Sequence, residues 1–119
     1  MKAFRDLKVW EKSHRLALEV YKATRKFPRE ELYGLTSQIR HCSTSVPANI
    51  AEGCGRGGDG ELGRFLQIAM GSASELEYFL LLARDLQYLK PADYERLASD
   101  AIEVKRMLAS FIGKLNAER

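Results

Sequence analysis

Lys8, Lys12, Arg15, Lys22 and Lys26 fall within one arc of a helical wheel, with Arg5 at its edge. Several cations on one surface neutralise phosphates without reading base edges, so the chemistry this spacing suits is binding to an RNA or DNA backbone. Such binding is insensitive to base sequence and weakens steeply with salt. The surplus is local: residues 1–29 hold nine Lys and Arg against three Asp and Glu, although the whole chain carries only +3. The same pattern also describes the solvated face of an ordinary amphipathic helix, and no exposed aromatics alternate with the cations as a stacking platform requires.

The other candidates for chemistry are weaker. Gly53-Cys54-Gly55-Arg56-Gly57-Gly58 has the letters of a dinucleotide loop but follows a helical pattern rather than a strand, and Asp59 stands where a phosphate-binding loop would place lysine. Glycine amides together with Arg56 could hold an anion near a helix N-terminus; alternatively, these glycines let the connection pass close to a neighbouring backbone. His14 lies on an apolar face and His41 has no second ligand three or four residues away, so neither predicts zinc. Cys54 has no His or Asp placed by sequence to activate it, and Asn49 and Glu52 are expected to tie down a helix end. Inward-facing Glu and Glu-x-x-His ligands of a metal-binding bundle are missing. No catalytic residue, metal or cofactor is expected.

Four helices must position these groups. The first is predicted from Leu7 to Lys26, with Asp6 as N-cap and Pro28 beyond its end, because Leu7, Trp10, His14, Ala17, Tyr21 and Thr24 alternate at three and four residues. A second stripe, Val9, Leu16, Val20 and Phe27, widens the apolar arc. The second helix is predicted over Leu35 to Glu52, starting near Tyr33-Gly34 or Thr36 and bending at Pro47. Its apolar positions Leu35, Ile39, Cys42, Val46 and Ile50 keep helical spacing through a proline that costs about 3 kcal/mol in an exposed helix. Burial must offset that defect, and Ser43, Thr44 and Ser45 can satisfy the freed backbone groups.

The third helix is expected from Asp59 to about Leu89. Its ridge is Leu62, Phe65, Leu66, Ala69, Ala73, Leu76, Leu80 and Ala83, and the apolar residues Tyr78, Phe79, Leu81, Leu82, Leu86 and Tyr88 surround its axis near the end. A helix apolar all round is expected to be buried all round. The fourth helix, Ala92 to Asn116, follows the break at Lys90-Pro91 with Tyr94, Leu97, Ala101, Val104, Leu108, Phe111 and Leu115 in heptad spacing. The expected fold is all-α: one domain over residues 1–119, an antiparallel up-down-up-down four-helix bundle.

One bundle core uses about one stripe per helix, so the second stripe of helix 1 and the wrapped end of helix 3 call for a partner, most economically another copy of the chain. The two cysteines, Cys42 and Cys54, make no disulfide framework. The longest apolar run, Tyr78 to Ala83, is far short of the ~20 residues that span a bilayer. Residues 1–15 contain no apolar signal core, which predicts a cytoplasmic protein.

The blocks Phe4-x-x-Leu7-x-Val9-Trp10, YGLTSQIR from Tyr33, SVPANIAEG from Ser45 followed by Gly55-Arg56, FLxIAxGSASELE from Phe65 and Leu86-x-Tyr88-Leu89 come in the order seen in a known family. Over nearly its whole length the chain resembles the four-helix-bundle proteins named for the 23S rRNA intervening sequence. That resemblance implies a bundle assembling as a homopentamer, with no established catalytic activity. It also implies a bacterial gene, either inside an rRNA insertion or free-standing. More distantly the chain is similar to accessory proteins of diversity-generating retroelements, basic pentamers that bind nucleic acid and lack the SVPANIAEG block. Two functions follow as expectations: a nucleic-acid-associated scaffold using the basic face of helix 1, or a protein-interaction or structural ring with no nucleic-acid role.

Overall fold

The computed structural model describes residues 3–118, and among them every regular element is helical. A short 3-10 turn at Phe4–Asp6 leads into α1 (Lys8–Thr24), and a second at Arg29–Glu31 leads into α2 (Leu35–Cys54). The long helices α3 (Asp59–Asp85) and α4 (Pro91–Ala117) follow. Each helix packs on its neighbours in sequence and α4 closes against α1, giving a bundle of 46 × 23 × 20 Å. Its length is close to that of α3 or α4, since 27 residues at 1.5 Å each make a rod of about 40 Å.

Helix α1 turns Val9, Ser13, Leu16, Ala17, Val20 and Thr24 inward. This departs from the expected division of labour: Val9, Leu16 and Val20, from the stripe expected to need an outside partner, enter the chain's own core together with Ala17 and Thr24 of the other stripe. Trp10 is only half-buried, and His14 and Tyr21 are exposed. The two buried hydroxyls are accommodated by helix carbonyls, Ser13 donating to Trp10 (2.9 Å) and Thr24 to Val20 (2.8 Å). Asp6 does not cap the helix; it lies in the preceding 3-10 turn, and Leu7 occupies the cap position without a side-chain bond.

Helix α2 carries Pro47 in its interior, and Pro47 is buried. Ile39, Cys42, Val46 and Ile50 beside it are at most 2% exposed, which supplies the offsetting burial. The hydroxyls upstream do not go to the carbonyl of Ser43 that the proline orphans. Ser43 and Thr44 donate to the carbonyl of Arg40, and Thr44 also reaches that of His41. Asn49 secures the following turn, donating from Nδ2 to the carbonyl and hydroxyl of Ser45 (2.8 and 2.9 Å).

The α2–α3 contact is the most extensive in the bundle because small residues let the two backbones approach. Ala69 and Ala73 are buried, Ser72 meets Ser45 at 2.8 Å, and a Cβ on Gly53 would lie 2.9 Å from the Cβ of Phe65. Gly53 is therefore required for packing. The left-handed backbone of this connection falls instead on Gly57, at φ 93°.

Helix α3 stops four residues before its expected end. Gln87 takes φ 66°, and the amides of Gln87 and Tyr88 bond back to the carbonyls of Arg84 and Ala83, a helix-terminating loop that usually carries glycine at this position. Leu89 then folds back into the core at 5% exposure. The end of α3 is not buried all round, since Tyr78 is 56% and Leu86 44% exposed.

Candidate functional site

The five cations of the basic arc line the outer side of α1 and its exit, but three of them already have partners. Lys12 reaches Asp100 of α4 at 3.5 Å, Arg15 pairs with Glu11 at 3.7 Å and Lys22 with Glu19 at 3.5 Å. Such exposed pairs contribute ~0–1 kcal/mol each, so a phosphate can compete for these side chains. Lys8 and Lys26, at the two ends of the arc, are exposed and make no ion pair among the described residues.

Arg56 bonds to Glu52 at 3.0 Å, and its guanidinium lies 5.0 Å from the centre of the Phe65 ring. The hollow beside the glycine connection is lined by Asp59, Lys114 and Glu118, with more negative than positive charge. Both cysteines are buried, and burial pushes the Cys42 thiol up to about 12, with the charge of Glu75 acting in the same direction. A thiol so raised is protonated and inert at neutral pH. Among the described residues no group of three or more His, Cys, Asp or Glu side chains is placed to hold a metal ion. No helix among them is long and apolar enough to cross a membrane.

Two features were missed by sequence reasoning. The first is an apolar groove of about 350 Å³ between α1 and α2, walled by Phe4, Trp10, His14, Leu18 and Tyr21 on one side and by Pro47 and Ala48 on the other. His14 stacks flat on Trp10 (4.9 Å, 7°), Phe4 meets the same indole edge-on, and Leu18 and Tyr21 are 53% and 41% exposed. Arg40 pins one end, donating to Thr24 Oγ1 at 2.8 Å while its guanidinium lies over the Tyr21 ring. The signal is the Trp10–His14–Tyr21 spacing, which periodicity alone does not distinguish from a core stripe.

The second is a crevice of about 760 Å³ where the end of α1 meets the α3–α4 turn, lined by Lys22, Lys26, Arg84, Lys90 and Arg96 together with Glu19 and Asp93. Beside it, Tyr88 donates to Glu31 Oε2 (3.0 Å), which raises the tyrosine pKa above its ordinary value, while Glu31 Oε1 accepts the amide of Leu35 and caps α2. One carboxylate thus joins the α1–α2 and α3–α4 connections.

Among the described residues the class this defines is structural: an all-helical bundle with an open aromatic groove and a basic end crevice. The chain belongs to the 23S rRNA-intervening sequence protein family, whose pattern matches residues 5–110. Its fold is similar to a crystal structure from Bacteroides thetaiotaomicron described as a protein of unknown function from the S23 ribosomal protein family. The two share 28% sequence identity and a TM-score of 0.82 over 88% of this chain and 95% of the other. No curated protein resembles the chain closely enough to count as a relative.

Proposed function

We propose that this chain is a non-enzymatic, cytoplasmic scaffold that works as a homo-oligomer, its helices running up-down-up-down with α2 bent at Pro47. The observation that carries this reading is the α1–α2 groove, a contiguous aromatic and aliphatic surface of the kind that marks a protein contact. A second copy is the fitting occupant, because α3 and its C-cap leave the apolar side chains Ile68, Tyr78 and Leu86 more than 40% exposed along their length. A groove on one element meeting a ridge on another is a head-to-tail contact, which closes into a ring when its rotation permits. The family resemblance points to five subunits. Light scattering checks the proposal: the expected mass is a multiple of 13.5 kDa, falling to the single chain in Leu18→Glu. A 13.5 kDa species at micromolar concentration in the unaltered protein refutes it.

A second reading, non-specific nucleic-acid binding through Lys8, Lys12, Arg15, Lys22 and Lys26, is favoured by the unpaired lysines at both ends of the arc. Its measure is RNA and DNA affinity at low ionic strength in the unaltered protein and in a variant with the four lysines changed to glutamate. Binding that falls with added salt and is lost in the variant supports it; unchanged binding refutes it.

A further inference from the structure

Cations from three helices and one turn meet at one end of the bundle. Lys22 and Lys26 come from the last turn of α1 and its exit, Arg84 from the last turn of α3, Lys90 from the turn that follows, and Arg96 from α4. Five cations thus face two carboxylates across a crevice of about 760 Å³. Both carboxylates are already engaged: Glu19 takes Arg96 at 2.8 Å and Lys22 at 3.5 Å, and Asp93 takes Arg96 at 3.4 Å. Arg84 has its own partner in Asp85 at 3.0 Å, outside the lining, and its guanidinium lies over the Tyr94 ring. Lys26 and Lys90 remain on the lining with no ion pair among the described residues.

The carbonyl end of α1 accounts for a lysine in its last turn, where a cation complements the helix dipole. It does not account for Lys90, which arrives from 64 positions further along the chain, nor for Arg96. Helix α4 also begins on this lining, with Lys90 at its cap position. At the opposite end of α1 a smaller hollow of about 480 Å³ holds three cations, Lys8, Arg106 and Lys114, facing one carboxylate, Glu103, which takes Arg106 at 3.3 Å; the crevice is the larger and gathers more cations.

We propose that the crevice bounded by Lys26, Lys90 and Arg96 is a binding site for a phosphate-bearing ligand, with the free ammonium groups of Lys26 and Lys90 as its two principal contacts. It shares its ligand chemistry with the second reading above but places that chemistry at the bundle end rather than along α1. The phosphate can belong to a nucleic-acid backbone or to a small polyphosphate, and two probes separate these: pyrophosphate and a single-stranded 20-nucleotide RNA, each titrated at 50 mM salt.

In the double variant Lys26→Glu/Lys90→Glu, which alters only exposed side chains, affinity for at least one probe is expected to fall tenfold or more. In Lys114→Glu, an exposed lysine at the opposite end of the bundle, it should change by less than twofold. Pyrophosphate binding lost in the double variant, with no RNA binding, upholds the crevice and overturns the nucleic-acid reading. RNA binding that survives in the double variant and is lost when Lys8 and Lys12 are replaced, with no pyrophosphate binding, overturns the crevice and leaves that reading standing. Absence of binding by both probes overturns both.

Discussion

Helix α1 carries two apolar stripes of similar spacing with opposite fates. Val9, Leu16 and Val20 are at most 5% exposed, whereas Leu18 and Tyr21, one or two positions away, remain open at 53% and 41%. The first stripe is aliphatic and narrow and interdigitates with the other helices. The second is built around Trp10, His14 and Tyr21: His14 stacks on Trp10, Tyr21 lies under the Arg40 guanidinium, and all three line the groove. Residue type and periodicity identify a greasy surface; they do not say whether it meets the same chain or another one. The fit against the facing helices decides that, since a core packed at crystal-like density takes only side chains whose shapes interlock.

The most severe way to test the contrast is to truncate one residue of each stripe. Leu16→Ala should cost about 2–5 kcal/mol, because it removes three buried carbons and leaves a cavity. Denaturant unfolding of dissociated protein is the measurement. A loss below about 1 kcal/mol would mean that this stripe is not the core.

Next comes the close approach that fixes α2 against α3. Gly53→Ala places a methyl group 2.9 Å from Phe65 Cβ and 3.0 Å from Leu62 Cδ1, so an overpacking cost of about 1–3 kcal/mol is expected, readable as a lowered melting temperature. Glu31→Ala removes the acceptor for the Leu35 amide and should cost about 1 kcal/mol, as loss of a helix cap does. Leu18→Ala should change the stability of the single chain by no more than about 0.5 kcal/mol, as exposed substitutions do, while weakening self-association. An effect on folding equal to that of Leu16→Ala would erase the distinction between the stripes.

The smallest effect near neutral pH concerns Cys42, on the inward side of α2. Its thiol is raised from 9.0 to about 12 by burial, so the folded state favours the protonated form. The resulting contribution to stability is complete below pH 9 and is lost as pH rises toward 12. Native protein at pH 8 should leave Cys42 unalkylated by iodoacetamide, with modification appearing on denaturation. Peptide mass mapping separates this site from Cys54.

Much of the fold was legible residue by residue. The spacing of Leu35, Ile39, Cys42, Val46 and Ile50 through Pro47 predicted a buried helix interior, and all five side chains are buried. Pro91, read as a break, is the first residue of α4, where its missing amide costs nothing. The end of α3 was not legible because Gln87, rather than glycine, adopts the left-handed conformation, and no local signal marks it. Of the candidate site, the cations of α1 were visible as an arc. Their links to α4, Asp100 pairing with Lys12 and Arg96 reaching Glu19, could not be seen from one helix.

Periodicity and breaker residues determined that this is a chain of four amphipathic helices with a local basic surplus, because helix formation and its termination depend on neighbours within a turn or two. Tertiary packing alone decided which stripe of α1 faces inward, that Glu31 joins Tyr88 across 57 positions, and that Lys26 and Lys90 share a crevice. Those pairings depend on how the helices are rotated against one another, and rotation is fixed by the fit of side chains from distant parts of the chain.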